Sequence, residues 1–135
     1  MQATESTITT NEETIRRVYQ ALGAADFDTI RALFTPDTVT HIPGRNPLSG
    51  DLYGVEALIE YFGKLFERSE GSFRVELQQV VANETRAAGV HHETATRGRK
   101  ALDTQLVVVF RLVEGRIAEA RVHYYDQTVA DAFWS

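Results

Sequence analysis

The chain has 135 residues, no cysteine and a formal net charge of -5 spread along its length. That length supports one domain with its own core, the lack of cysteine excludes disulfides and thiolate zinc sites, and the dispersed negative charge argues against a nucleic-acid partner. No apolar run is long enough to span a bilayer and residues 1–10 show no basic-then-apolar leader, so the expectation is a cytoplasmic protein without membrane contact.

Residues 1–9 are polar and Thr-rich and are expected to form a disordered tail, leaving 10–135 as the folded domain. Thr10 and Glu13 form a Thr-x-x-Glu capping signature that predicts a helix start, and Ile15, Val18, Tyr19 and Leu22 give that helix one buried face before Gly23 ends it. Asp26 is the candidate N-cap of a second helix, with Phe27, Ile30, Leu33 and Phe34 at the same spacing and Pro36-Asp37 as its stop. The β-branched run 38–42 predicts a strand. Residues 43–54 hold two prolines and three glycines, a loop long enough to be functional, whose Arg45, Asn46 and Tyr53 could close over a ligand. A third helix carries Leu58, Tyr61, Phe62, Leu65 and Phe66 on one stripe and ends near Gly71.

Beyond Gly71 the apolar period drops to two. Phe73, Val75 and Leu77 alternate, then Val80-Val81 fall out of phase, which predicts a β-bulge near Gln78-Gln79. Asn83-Glu84 reads as a turn, 87–96 as a strand, and Arg97-Gly98-Arg99 as the lead into a long antiparallel hairpin, 102–113 and 117–125, across Glu114-Gly115-Arg116. This hairpin is expected at the centre of the sheet. Residues 106–110 are apolar at successive positions, so both faces need cover: helices on one, a second chain or the C-terminal tail on the other. Helix, helix, strand, helix and four strands make an α+β fold.

Ala25-Asp26, Leu33-Phe34, Pro36-Asp37, Val39-x-x-x-Pro43-Gly44, Gly50-x-x-x-Gly54 and Phe110-Arg-x-x-Glu-Gly-Arg-Ile117 together resemble the SnoaL-like and ketosteroid-isomerase-like members of the NTF2-like superfamily, from about Glu12 to Asp126. The resemblance implies a cone-shaped fold, a curved and mostly antiparallel sheet wrapped around the N-terminal helices, an apolar pocket inside, and a homodimer formed through the sheet. It also marks departures. The general base of ketosteroid isomerases would fall on Ile42, the oxyanion-stabilising acid on Val107 or Val108, and the partnering tyrosine on Val18, beside Tyr19. Steroid isomerisation by the usual Asp/Tyr route therefore lacks its proton carriers. Asp126 matches an aspartate of epoxide-hydrolysing relatives, yet the strand 92–97 offers no Arg-x-Asp partner.

Candidate catalytic residues are His41 at the mouth of the long loop, His92, and Asp126 at the end of the last strand. Strand alternation turns His41 outward if Ile42 points in. His91 and His92 face opposite ways, and the parity of Thr94 favours His92 for the pocket. Asp126 could equally be a turn residue or a C-cap. Asp103 with Gln105 is a further acid/base candidate. Tyr19, Tyr53, Tyr61, Phe62 and Tyr124 are the candidate ligand-binding residues, since aromatic walls suit an apolar, ring-containing ligand. The histidine spacings predict no metal, and the acid/base chemistry expected of these residues calls for no cofactor. The aromatic end, Phe133-Trp134, is expected to fold back as a pocket plug or across a dimer contact. These residues point to a small apolar metabolite as partner and to cofactor-free isomerase, cyclase or dehydratase chemistry. The alternative is a non-catalytic binding module that has lost the isomerase residues.

Overall fold

The computed structural model describes residues 2–135, with side chains from Thr4 onward. The first helix, α1, spans Gln2–Gly23. This corrects the expected disordered tail and the helix start at Thr10: the helix continues through the Thr-rich stretch. Asn11 helps hold this half of α1 in place, donating its side-chain amide to the carbonyls of Asn83 (3.0 Å) and Glu84 (3.1 Å). Ile15, Val18 and Leu22 are buried as the helical spacing requires.

The short helix α2, Phe27–Leu33, is capped by Asp26, whose carboxylate accepts from the Thr29 backbone N–H at 3.2 Å. The chain then enters β1, Phe34–Ile42, four residues before the predicted strand. Pro36 fits there because the pairing of β1 slips between Phe34 and Val39, so its missing N–H interrupts no regular ladder. Part of the expected loop is itself a strand, β2, Gly50–Tyr53, antiparallel to β1. The helix α3, Val55–Arg68, buries Leu58, Tyr61 and Leu65.

Four strands follow: β3 (Arg74–Ala82), β4 (Arg86–Arg97), β5 (Lys100–Val113) and β6 (Arg116–Tyr124). The predicted bulge is present, with the β3–β4 register shifting between Leu77 and Gln79. The sheet runs β2-β1-β6-β5-β4-β3, so the predicted hairpin does lie at its centre, and β1 pairs β6 in parallel while the other pairs are antiparallel. The curved, unclosed sheet and the helices against its inner face make the α+β cone.

Along β5, Leu102, Leu106, Val108, Phe110 and Leu112 face inward and are buried against the helices. Val107 and Val109 face outward and are half-buried. The C-terminal tail does not cover them. It forms a fourth helix, α4 (Gln127–Trp134), which folds back so that Trp134 packs on Phe133 and Phe73 in the core. Arg97 and Lys100 hold its end by donating to the carbonyls of Ala132, Phe133 and Ser135. Among the described residues no helix is long and apolar enough to cross a membrane.

Candidate functional site

Between α1, α3 and the inner face of the sheet lies a cavity of about 70 Å³. Most of its wall is apolar: Leu58, Phe62, Phe110 and Val122 are representative, and Ile42 and Val108, where the isomerase base and acid would stand, belong to it. Strand β4 supplies the exception. Its inward residues are Ala87, Gly89, His91, Glu93 and Ala95, and this phase places an imidazole and a carboxylate side by side in the wall, 5 % and 6 % exposed.

These two groups are the middle of a continuous chain of hydrogen bonds. His91 Nε2 lies 2.9 Å from Glu93 Oε2, and the second carboxylate oxygen accepts from the Tyr124 hydroxyl at 3.3 Å. An ionised carboxylate only accepts, so opposite Glu93 the proton of this contact sits on Nε2, and in the neutral imidazole Nδ1 is left as an acceptor. Tyr19 fills that role, its hydroxyl donating to Nδ1 at 2.6 Å with the two rings edge to face. Burial, reinforced by the Glu93 charge, pushes the phenols of Tyr19, Tyr61 and Tyr124 far above their ordinary value of 10.0, so all three remain proton donors. Two further donors are free for a ligand. Thr40 Oγ1 is buried in the wall without a partner, and the Tyr61 hydroxyl makes no hydrogen bond to any described residue.

Of the candidates drawn from the sequence, Tyr19, Tyr61, Phe62 and Tyr124 line the cavity. Tyr53 does not: it stands 72 % exposed on β2, where pleating turns it to solvent. His41 lies on the outer face, bridging Asp51 (2.7 Å) and Glu119 (2.8 Å), because its neighbour Ile42 takes the inward position. His92 is also outside, 2.5 Å from Asp103. The choice between the two adjacent histidines is therefore reversed: His91 is the inward one. The two-residue turn at Gly98-Arg99 pairs Arg97 with Lys100 and so sets His91 opposite Leu106. Residues directly opposite share a face. Val90, the largest apolar residue of β4, shares the outward phase with His92 and Thr94, so residue type along the strand did not reveal which histidine faces in. Asp126 is the N-cap of α4, accepting from the Val129 N–H at 3.3 Å, and has no place in the cavity. Asp103 and Gln105 likewise face outward. Among the described residues no group of three or more His, Asp or Glu side chains is placed to hold a metal ion.

A family model described as a SnoaL-like domain matches residues 15–120, which span α1 to β6 and include every polar residue of the cavity wall except Tyr124. The chain belongs to the SnoaL-like family. No curated protein matches it. Among solved structures, the SnoaL-like chain is 36 % identical to Bal32a from a soil-derived mobile gene cassette, with a TM-score of 0.93 over 96 % of this chain and 99 % of that one. It shares 19 % identity with an NTF2-like protein from Burkholderia xenovorans LB400 (TM-score 0.81, 95 % and 98 % covered). It shares 22 % with a protein from Jannaschia sp. CCS1 assigned as a SnoaL-like polyketide cyclase (TM-score 0.77, 94 % and 93 % covered). The last two likenesses establish the NTF2-like cone alone.

Proposed function

We propose that this SnoaL-like protein is a cofactor-independent acid/base enzyme, an isomerase, cyclase or dehydratase, acting on a small, apolar, ring-containing metabolite. The observation that carries the reading is the buried Tyr19–His91–Glu93–Tyr124 chain in an otherwise apolar wall. A structural core gains little from a carboxylate and an imidazole at this depth, because each must be desolvated and then repaid by hydrogen bonds. A proton-transfer site needs them. In this reading the Glu93 carboxylate, held in place by His91 and Tyr124, takes a proton from a carbon beside a carbonyl, and the Tyr61 phenol, unpaired among the described residues, donates to the oxygen on which negative charge develops. The high proton affinity of the phenols suits donors that must stay protonated. The polyketide cyclase assignment of the Jannaschia relative agrees with a ring-forming reaction on a ketone-rich substrate.

The cavity is small beside the roughly 300–1,000 Å³ usual for drug-sized ligands, so the half-buried side chains Phe62 and Val75 move aside on binding. The test is a thermal-shift screen of aromatic ketones, enones and quinones, followed by turnover of the hits. His91→Ala and Glu93→Gln are expected to lower turnover by about 10²–10⁴-fold with the ligand-induced melting shift retained. Unchanged turnover in both variants overturns the reading. Hits that bind but are never converted favour the binding-module alternative.

We propose further that two copies meet through the outer face of the sheet. In support, Val81, Ala88 and Val109 form one outward cross-strand row and Val90 and Val107 another, flanked by Arg111, Glu119 and Arg121. Val81 is more than half exposed in the single chain.

A further inference from the structure

Gly89 sits in the middle of β4, where glycine is a poor choice: it loses more backbone freedom on folding than any other residue and packs nothing against its neighbours. Backbone geometry does not demand it, since the positive-φ glycines are 44, 50, 54, 71, 98 and 115. What occupies the space of its missing side chain is Tyr19. A Cβ at position 89 would stand 3.0 Å from the Tyr19 hydroxyl oxygen, 3.1 Å from Cε2 and 3.4 Å from Cζ. The first two are tighter than ordinary carbon contacts, and the atom most crowded is the oxygen that donates to His91 Nδ1. Gly89 and His91 share the inward face of β4, two residues apart, so the phenol lies across the bare backbone of one to reach the ring of the other.

We propose that Gly89 is a positioning residue: its missing side chain is what lets the Tyr19 phenol lie against β4 and hold His91 with its proton on Nε2, facing Glu93. Tyr19 comes from α1, whose placement is fixed by Ile15, Val18 and Ala21 in the core, so a methyl group at 89 cannot be accommodated by moving the helix freely. The ring must instead give by a few tenths of an ångström, which lengthens and bends the hydrogen bond from its hydroxyl to Nδ1. With that bond weakened the Glu93 contact at Nε2 is left as the main constraint on the tautomer, and the preference for a bare Nδ1 falls.

The inference rests on the proton-transfer reading of the site, but its test does not use turnover. In protein labelled with ¹⁵N-histidine, the ring correlation spectrum reports which nitrogen of His91 carries the proton. The expected result is an Nε2–H form in the wild type, a mixed population in Gly89→Ala that moves in the same direction as in Tyr19→Phe, and no added change in the double variant. The stability arm uses Tyr19→Leu, which removes the ring tip: in that background Gly89→Ala is expected to melt at or above its parent, because the clash is gone and alanine is the better strand residue. Should Gly89→Ala alone fail to fold, the comparison within the Tyr19→Leu background still decides. A wild-type His91 spectrum in Gly89→Ala, additive effects in the double variant, or equal destabilisation with and without the phenol would each overturn the proposal. Loss of turnover in His91→Ala alongside any of these outcomes would leave the proton-transfer reading standing and remove only the role of Gly89.

Discussion

His91 and His41 show how one side chain is given two different lives by strand parity. Inside, His91 is held between a phenol and a carboxylate with each ring nitrogen engaged. Outside, His41 sits between two carboxylates, Glu119 first and Asp51 second in effect, and their hydrogen bonds raise its affinity for a proton above the ordinary 6.5 despite the opposing charge of Arg121. A group whose folded value is raised contributes its full stabilisation below the unfolded value and loses it as pH rises through the folded one. Substituting His41→Gln is therefore expected to lower the melting temperature most near pH 6 and progressively less toward about pH 9. A pH-independent difference in calorimetric scans would contradict this account. The same contrast separates His92, whose partner Asp103 is exposed to solvent, from His91, whose partner Glu93 is not.

The hairpin β4–β5 sets the chemistry of the site, and α4 closes the fold around it. One clamp is Asp131, which accepts from the Arg45 backbone N–H (3.0 Å), the Asn46 side-chain amide (2.7 Å) and Gln127 (3.1 Å), tying the 43–49 loop to α4. Gly44 is required there, since a Cβ would collide with Gln127 and Asp131 and the backbone φ is +99. Its Asn46 partner first, then the Arg45 N–H, lowers the proton affinity of Asp131 below the ordinary 3.8. The clamp therefore holds above that range and is lost in acid, and Asp131→Ala is expected to cost about 1 kcal/mol at neutral pH, read by denaturant melts. Trp134 makes a larger contribution. It is 2 % exposed against Phe73 and Phe133, and Trp134→Ala is expected to cost about 3–5 kcal/mol, a typical figure for removing a buried aromatic. A change under 1 kcal/mol would mean that α4 is a loose appendage rather than part of the core.

At the scale of the whole molecule, a sheet that is buried on one face and valine-rich on the other predicts association. Val109→Asp on the outer face is expected to shift the protein to a monomer in sedimentation experiments while leaving the cavity unchanged, because a charge in the middle of an apolar row must be desolvated on docking. A wild-type protein that sediments as a monomer at high concentration would remove the proposal that copies pair through the sheet.

Local pattern alone was enough for α2, α3, the bulge at Gln78, the turn at Asn83 and the central hairpin, since each rests on spacing, capping or turn chemistry within a dozen residues. It failed at the N-terminus, where the capping signature at Thr10 lies inside a helix tethered by Asn11 to a turn more than 70 positions away, and at β1, where pairing with β6 made a strand out of a Pro-containing segment. The residue types of the site were all visible too, four of its aromatics among them. What only the tertiary structure decided was which of two adjacent histidines faces in, and that Glu93, Tyr19 and Tyr124 converge on it, because side-chain direction in a strand is set by the register with its neighbour and not by the residue itself.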